Sequence, residues 1–200
     1  MNSAKICGIT LVEDAIMAAE YGASALGFIF YRKSPRYISP RKARDITGQI
    51  KKNISFVGEI VDEPLDYIHT ISEQVGLHFV QLHGNESPEY CSKVKIPVLK
   101  AFRIDDNFDP MIINRYNVHA FLFDTYKKGT PGGTGGAFDW ELISNIQTET
   151  PIIISGGLNE ENIIDSIKAV CPNAIDINSG IESAPGIKNK EKMIALFNII

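Results

Sequence analysis

Residues 4–12, Ala4-Lys5-Ile6-Cys7-Gly8-Ile9-Thr10-Leu11-Val12, decide how this chain folds. Ala4 to Ile6 reads as a short buried strand, and Gly8 permits a sharp turn. Leu11 to Tyr21 then reads as a helix, with Thr10 expected as its N-cap and Gly22 as its stop. Strand, turn and helix in this order make half of a βαβ unit. The unit recurs along the chain. Further strands are predicted at Ala25–Phe30, Phe56–Val61, Phe79–His83, Val98–Phe102, Ala120–Asp124, Ile152–Ser155 and Ala174–Ile177. Helical stretches follow from Ser39-Pro40 to Ile46, Pro64 to Gln74, from Ser87-Pro88, Met111 to Tyr116, after Asp139, Glu161 to Val170, and Lys188 to Phe197. Near-continuous apolar runs mean parallel strands covered on both faces. Eight such units close into a (β/α)8 barrel with a parallel eight-stranded sheet, and 200 residues stand at the short end of that architecture. An open doubly wound sheet is the alternative.

The composition fits one domain over residues 1–200. Hydrophobic residues at 44% and charged residues at 22% are ordinary for a soluble globular chain. No apolar run approaches the roughly 20 residues that span a bilayer, so no membrane partner is expected. A net charge of −4 with scattered basic residues argues against nucleic acid. Three cysteines without a close pair suit a reducing cytoplasm, and exclude a disulfide set or a zinc ribbon. With four residues before the first motif, the chain is expected to have no signal peptide and to be a stand-alone protein. It is expected to act as a monomer or homodimer.

In such a barrel the chemistry sits at the C-terminal strand ends. Those ends carry Cys7, the Arg36 loop, Asp62, His83, Asp124, Ser155-Gly156-Gly157 and Asn178-Ser179-Gly180. Strands seven and eight both run into small residues whose backbone N–H groups can face an anion, where barrels commonly hold phosphate. A phosphorylated small molecule is the expected ligand, with tight turns as the competing explanation of the glycines. Asp124 leaves an apolar strand, so desolvation should raise its pKa and let it donate a proton. It also fits a helix cap or salt-bridge partner. Lys5 and Cys7 share a strand face, and the ammonium should favour the thiolate; a buried structural cysteine is the other reading. One acid and one base on separate strands suggest proton transfer without a metal.

These residues are where a resemblance enters. Lys5-Ile6-Cys7-Gly8-Ile9-Thr10, Ser34-Pro35-Arg36, Gln81-Leu82-His83-Gly84, Asp124, Gly132-Gly133-Thr134-Gly135, Phe138-Asp139-Trp140, Ser155-Gly156-Gly157-Leu158 and Ser179-Gly180-Ile181-Glu182 occur in the order found in phosphoribosylanthranilate isomerases. The chain resembles that tryptophan-biosynthesis family over its whole length. The resemblance implies a cofactor-free Amadori rearrangement of N-(5-phosphoribosyl)anthranilate to 1-(2-carboxyphenylamino)-1-deoxyribulose 5-phosphate, a small phosphorylated aminoribose being the only partner required. It further implies that Asp124 protonates the furanose oxygen, that Cys7 removes the C2 proton, and that Arg36 pairs with the anthranilate carboxylate. Gly156, Gly157, Ser179 and Gly180 would hold the phosphate.

His83 lies in a matching motif, with a substrate-binding role or a structural one. Asp176 either approaches the substrate or orients Arg36. Lys5 and Lys100 fit interior positions that require carboxylate partners. The Lys127–Ala137 loop either closes over the substrate or is an open connection. Three residues depart from the family: Glu59 where an apolar residue is usual, Asp62 in place of asparagine, and Asn178 in place of serine. Glu59, if it faces inward, must be neutral or paired, with Lys5 or Lys100 as the expected partner. Two other functions compete: a related histidine-pathway Amadori isomerase, which uses two aspartates, and a noncatalytic phosphosugar-binding barrel.

Overall fold

The computed structural model describes residues 3–105, 107–124 and 141–200. Eight parallel strands close into a barrel: β1 (Ser3–Ile6), β2 (Ala25–Ile29), β3 (Ser55–Ile60), β4 (Phe79–Leu82), β5 (Val98–Arg103), β6 (Ala120–Asp124), β7 (Ile152–Ser155) and β8 (Ala174–Ile177), each paired with its neighbour in sequence. The seam is the β1–β8 pairing, which sets Lys5 opposite Asp176. The open doubly wound alternative is excluded by that seam.

Alternation along the strands sorts the side chains. Val57, Leu99, Ala101, Ala120, Leu122 and Ile153 form one cluster inside the barrel. Their strand neighbours Leu26, Phe28, Phe121, Phe123 and Ile154 point outward and join a second core beneath the helices. Each fully buried residue of this size contributes on the order of 1.5–3 kcal/mol. Inside the same barrel, above the apolar cluster, lie the buried polar residues Lys5, Gln81 and Asp176.

The helices are α1 (Val12–Tyr21), α2 (Pro40–Thr47), α3 (Leu65–Val75), α4 (Pro88–Cys91), α5 (Glu141–Ser144), α6 (Ile163–Val170) and α7 (Lys190–Ile199). Ser39 and Ser87 cap α2 and α4 by accepting from Lys42 N and Tyr90 N, with proline next in each case. Thr10 does not cap α1. Leu11 holds that position without a side-chain bond, and the Thr10 hydroxyl donates instead to the Gly186 carbonyl. Between β5 and β6 the expected helix is a tight 3₁₀ turn, Pro110–Arg115. Before α7 an unforeseen hairpin pairs β9 (Glu182–Ala184) with β10 (Ile187–Lys188). The Lys127–Ala137 loop and the Asp139 cap lie outside the described residues.

Candidate active site

Cys7 follows β1 directly and is 1% exposed. Room for it comes from β2, since a Cβ at Gly27 would lie 2.7 Å from Cys7 Sγ. The turn after it requires glycine: Gly8 has φ +70°, and a Cβ there would meet Asn178 Oδ1 at 2.5 Å. The thiol donates to Glu59 Oε2 at 3.4 Å. Glu59 Oε1 stands 3.5 Å from His83 Nδ1, and His83 Nε2 stands 3.2 Å from Asp124 Oδ2. One connected run of side chains therefore crosses the barrel mouth from β1 through β3 and β4 to β6. Gln81 Nε2 also donates to Glu59 Oε2, at 3.2 Å.

Charge at this mouth does not settle as the sequence suggested. Burial pushes the Cys7 thiol up, and Lys5 only partly opposes it, so the expected thiolate is not the resting form. Lys5 is instead committed to Asp176, its Nζ donating to Oδ2 at 2.9 Å. Desolvation disfavours the ammonium, but Asp176, Cys7 and Glu59 together outweigh it and hold the Lys5 charge. Burial raises the Asp176 carboxyl, with Lys5 opposing. Burial likewise works against an ionised Glu59, yet the hydrogen bond and charge of His83, with Lys5 behind them, bring its pKa down to about 2. Burial disfavours the His83 cation too, and its bonds to Asp124 and Glu59 reverse this, lifting it to about 9. At neutral pH the mouth thus holds a protonated imidazole against the Glu59 carboxylate, with Asp124 Oδ2 on its other side.

The sign of the resulting pH dependence follows from these directions. The His83 contribution is complete below its ordinary value of 6.5 and is lost as pH rises through about 9. The Glu59 contribution is complete above 4.5 and is lost as pH falls through about 2. Thermal unfolding followed against pH should show stability falling through about pH 9, and His83→Asn should flatten that fall. An equal fall in the variant would remove His83 from the account.

Several expectations are corrected here. Glu59 faces inward but pairs with His83, neither Lys5 nor Lys100. Lys100 points to the other face of β5, where its Nζ donates to Glu86 Oε2 at 2.8 Å and to the Leu82 and Gly84 carbonyls. Asp62 is not part of the charged run: at φ +51° its Oδ1 accepts from Asn85 N. Asp176 orients Lys5, not Arg36, and its Oδ1 is buried without a hydrogen-bond partner among the described residues. Arg36 is gripped by Glu182, with Nε at 2.9 Å from Oε1 and Nη2 at 2.7 Å from Oε2. The partner roles of Glu182 and Lys188 were missed. Lys188 Nζ reaches both Glu182 Oε1, at 3.1 Å, and Asn178 Oδ1, at 3.0 Å. The signal was the acidic residue closing Ser179-Gly180-Ile181-Glu182, with Lys188 six residues on.

The loops after β7 and β8 meet. A Cβ at Gly180 would lie 1.9 Å from the Leu158 carbonyl oxygen, so close backbone approach already explains that glycine. Gly156 and Gly157 have φ +94° and +65°, and a Cβ at Gly157 would meet open space. Ser179 opens a 3₁₀ turn, Ser179–Ile181. Among the described residues, no group of three or more His, Cys, Asp or Glu side chains is placed to hold a metal ion, and no helix is long and apolar enough to cross a membrane.

Comparison with known proteins gives a consistent result. A family model described as N-(5'phosphoribosyl)anthranilate (PRA) isomerase matches residues 4–199. The N-(5'-phosphoribosyl)anthranilate isomerase of Syntrophus aciditrophicus (strain SB) is 45% identical over 197 residues, covering 98% of this chain and 86% of the relative. The phosphoribosyl anthranilate isomerase of Thermotoga maritima superposes with a TM-score of 0.87 at 37% identity, covering 99% of this chain and 98% of that one. A further isomerase structure, solved in complex with reduced 1-(o-carboxyphenylamino)-1-deoxyribulose 5-phosphate, superposes with a TM-score of 0.84 at 35% identity, covering 99% and 97%.

Proposed function

Since this chain belongs to the N-(5'-phosphoribosyl)anthranilate isomerase family, we propose that Cys7 and Asp124 are the base and the acid of its isomerisation. The protein converts N-(5'-phosphoribosyl)anthranilate to the 1-deoxyribulose product by an Amadori rearrangement, a step of tryptophan biosynthesis, and residues 1–200 act as one barrel domain. The observation that carries the site assignment is the unbroken run Cys7–Glu59–His83–Asp124, which sets a sulfur and a carboxyl at one mouth.

The reaction needs two proton events at different atoms. Ring opening turns the furanose oxygen into a hydroxyl, so it needs a donor. Asp124, with His83 behind it, supplies that proton and leaves a cationic Schiff base between C1 and the anthranilate nitrogen. Cys7 on β1 then takes the C2 proton, and the C–H electron pair forms the C1–C2 double bond as the iminium electrons return to nitrogen. The enolamine tautomerises to the ketone. Asp176 Oδ1, buried and without a partner among the described residues, accepts from a sugar hydroxyl. The backbone at Gly156, Gly157, Ser179 and Gly180 receives the phosphate.

Arg36 meets the anthranilate carboxylate with the Nη1 end of its fork, Nε and Nη2 being turned to Glu182. Arg36→Lys should raise KM about tenfold with a smaller change in kcat, because a single ammonium cannot bridge Glu182 and the ligand together. Steady-state kinetics would detect it, and an unchanged KM would take Arg36 out of the site. The activity itself is tested by mixing the pure protein with freshly made phosphoribosylanthranilate and following the loss of its fluorescence. No turnover would overturn the assignment.

A further inference from the structure

Resting on that reading, we propose that Glu59 is a positioning residue which shares one proton with Cys7, so that thiol and carboxylate act together as the base. A thiolate and a carboxylate 3.4 Å apart inside a barrel cannot both carry charge without large repulsion. The side chain of Glu59 is held on two sides, by Gln81 Nε2 and by His83 Nδ1, which keeps Oε2 aimed at Sγ. Lys5, the group expected to ionise the thiol, also pairs with Asp176 and does not overcome the thiol's burial. The sulfur therefore has a proton acceptor in contact, and it is the carboxylate.

The step balances as follows. Sγ takes the proton from C2 while the thiol's own proton passes to Glu59 Oε2, so a free thiolate never forms. The C2–H pair enters the C1–C2 bond and quenches the iminium. Before this, the proton delivered to the ring oxygen through Asp124 Oδ2 has come from His83 Nε2, leaving a neutral imidazole. Turnover ends with a neutral Glu59 and a neutral His83. One proton passing from the first to the second through water at the mouth restores the carboxylate and imidazolium. The low pKa of Glu59 and the high one of His83 make that return favourable.

The charged and titratable groups facing the pair are Lys5 on β1, Arg36 after β2, His83 just after β4, Asp124 on β6, Asp176 on β8 and Lys188 on β10. The test is Glu59→Gln, which keeps the shape and removes the acceptor, assayed on wild-type and variant proteins across neutral to alkaline pH. We expect kcat at neutral pH to fall about tenfold to a hundredfold with KM unchanged. The variant's kcat should climb with pH toward the wild-type value, because its thiol must ionise alone. Glu59→Asp should give an intermediate kcat with a profile parallel to wild type. A wild-type kcat in Glu59→Gln, or a loss that is the same at every pH, overturns the proposal. An inactive wild-type protein would instead overturn the isomerase assignment, so the two failures are distinguishable.

Discussion

Cys7→Ser should abolish turnover, lowering kcat by at least about 10³-fold while the barrel still folds and binds phosphate. Serine matches the size of the pocket that Gly27 leaves, so packing is nearly preserved. Its hydroxyl is a far weaker acid than the thiol, and Glu59 cannot compensate, because the hydroxyl must give up its own proton as it takes the one on C2. The measurement is single-turnover loss of substrate fluorescence, with product-analogue binding as the control for the fold. A serine variant within tenfold of wild type would remove Cys7 from the chemistry.

Asp124→Asn should be comparably severe, by a different route. The amide has no proton to give at useful pKa, so the ring oxygen would have to leave as an alkoxide. The carboxamide also offers His83 a weaker partner than the carboxylate 3.2 Å away, which lowers the imidazolium's support from that side. We expect a loss of about 10²- to 10⁴-fold in kcat with little change in KM. The discriminating readout is a substrate analogue already opened to the Schiff base level, which the variant should process faster than the closed sugar. Equal impairment on both would mean that Asp124 does not act at ring opening.

Much of the fold was legible because parallel strands buried on both faces must be apolar throughout. Ile152-Ile153-Ile154 and Ala120-Phe121-Leu122-Phe123 announce themselves, and the glycines at 22 and 76 end helices in left-handed conformation. Cys7 and Asp124 were legible as residues that end strands. What could not be read were the partners. Arg36 meets Glu182 across 146 positions and Lys5 meets Asp176 across 171, and only the strand order and register bring them together. Glu59 was assigned a lysine by charge alone, whereas the β3–β4 register sets it against Gln81 and beside His83. The ionisation of Cys7 was misjudged for a related reason: strand alternation places Lys5 on its face, but it says nothing of how deeply the thiol is desolvated. The β9–β10 hairpin did have a local signal, the Pro185-Gly186 pair between two extended segments, to which the sequence reading assigned no element.

The seam between β1 and β8 bears on how the molecule is born. During synthesis β1 with Lys5 emerges well before β8 with Asp176, 171 positions on, so the ammonium has no carboxylate across the seam until β8 is made. Docking β1 early would strand an uncompensated cation in the interior, which delays the final closure until Asp176 arrives. A nascent or truncated chain is thereby kept from presenting a finished catalytic mouth.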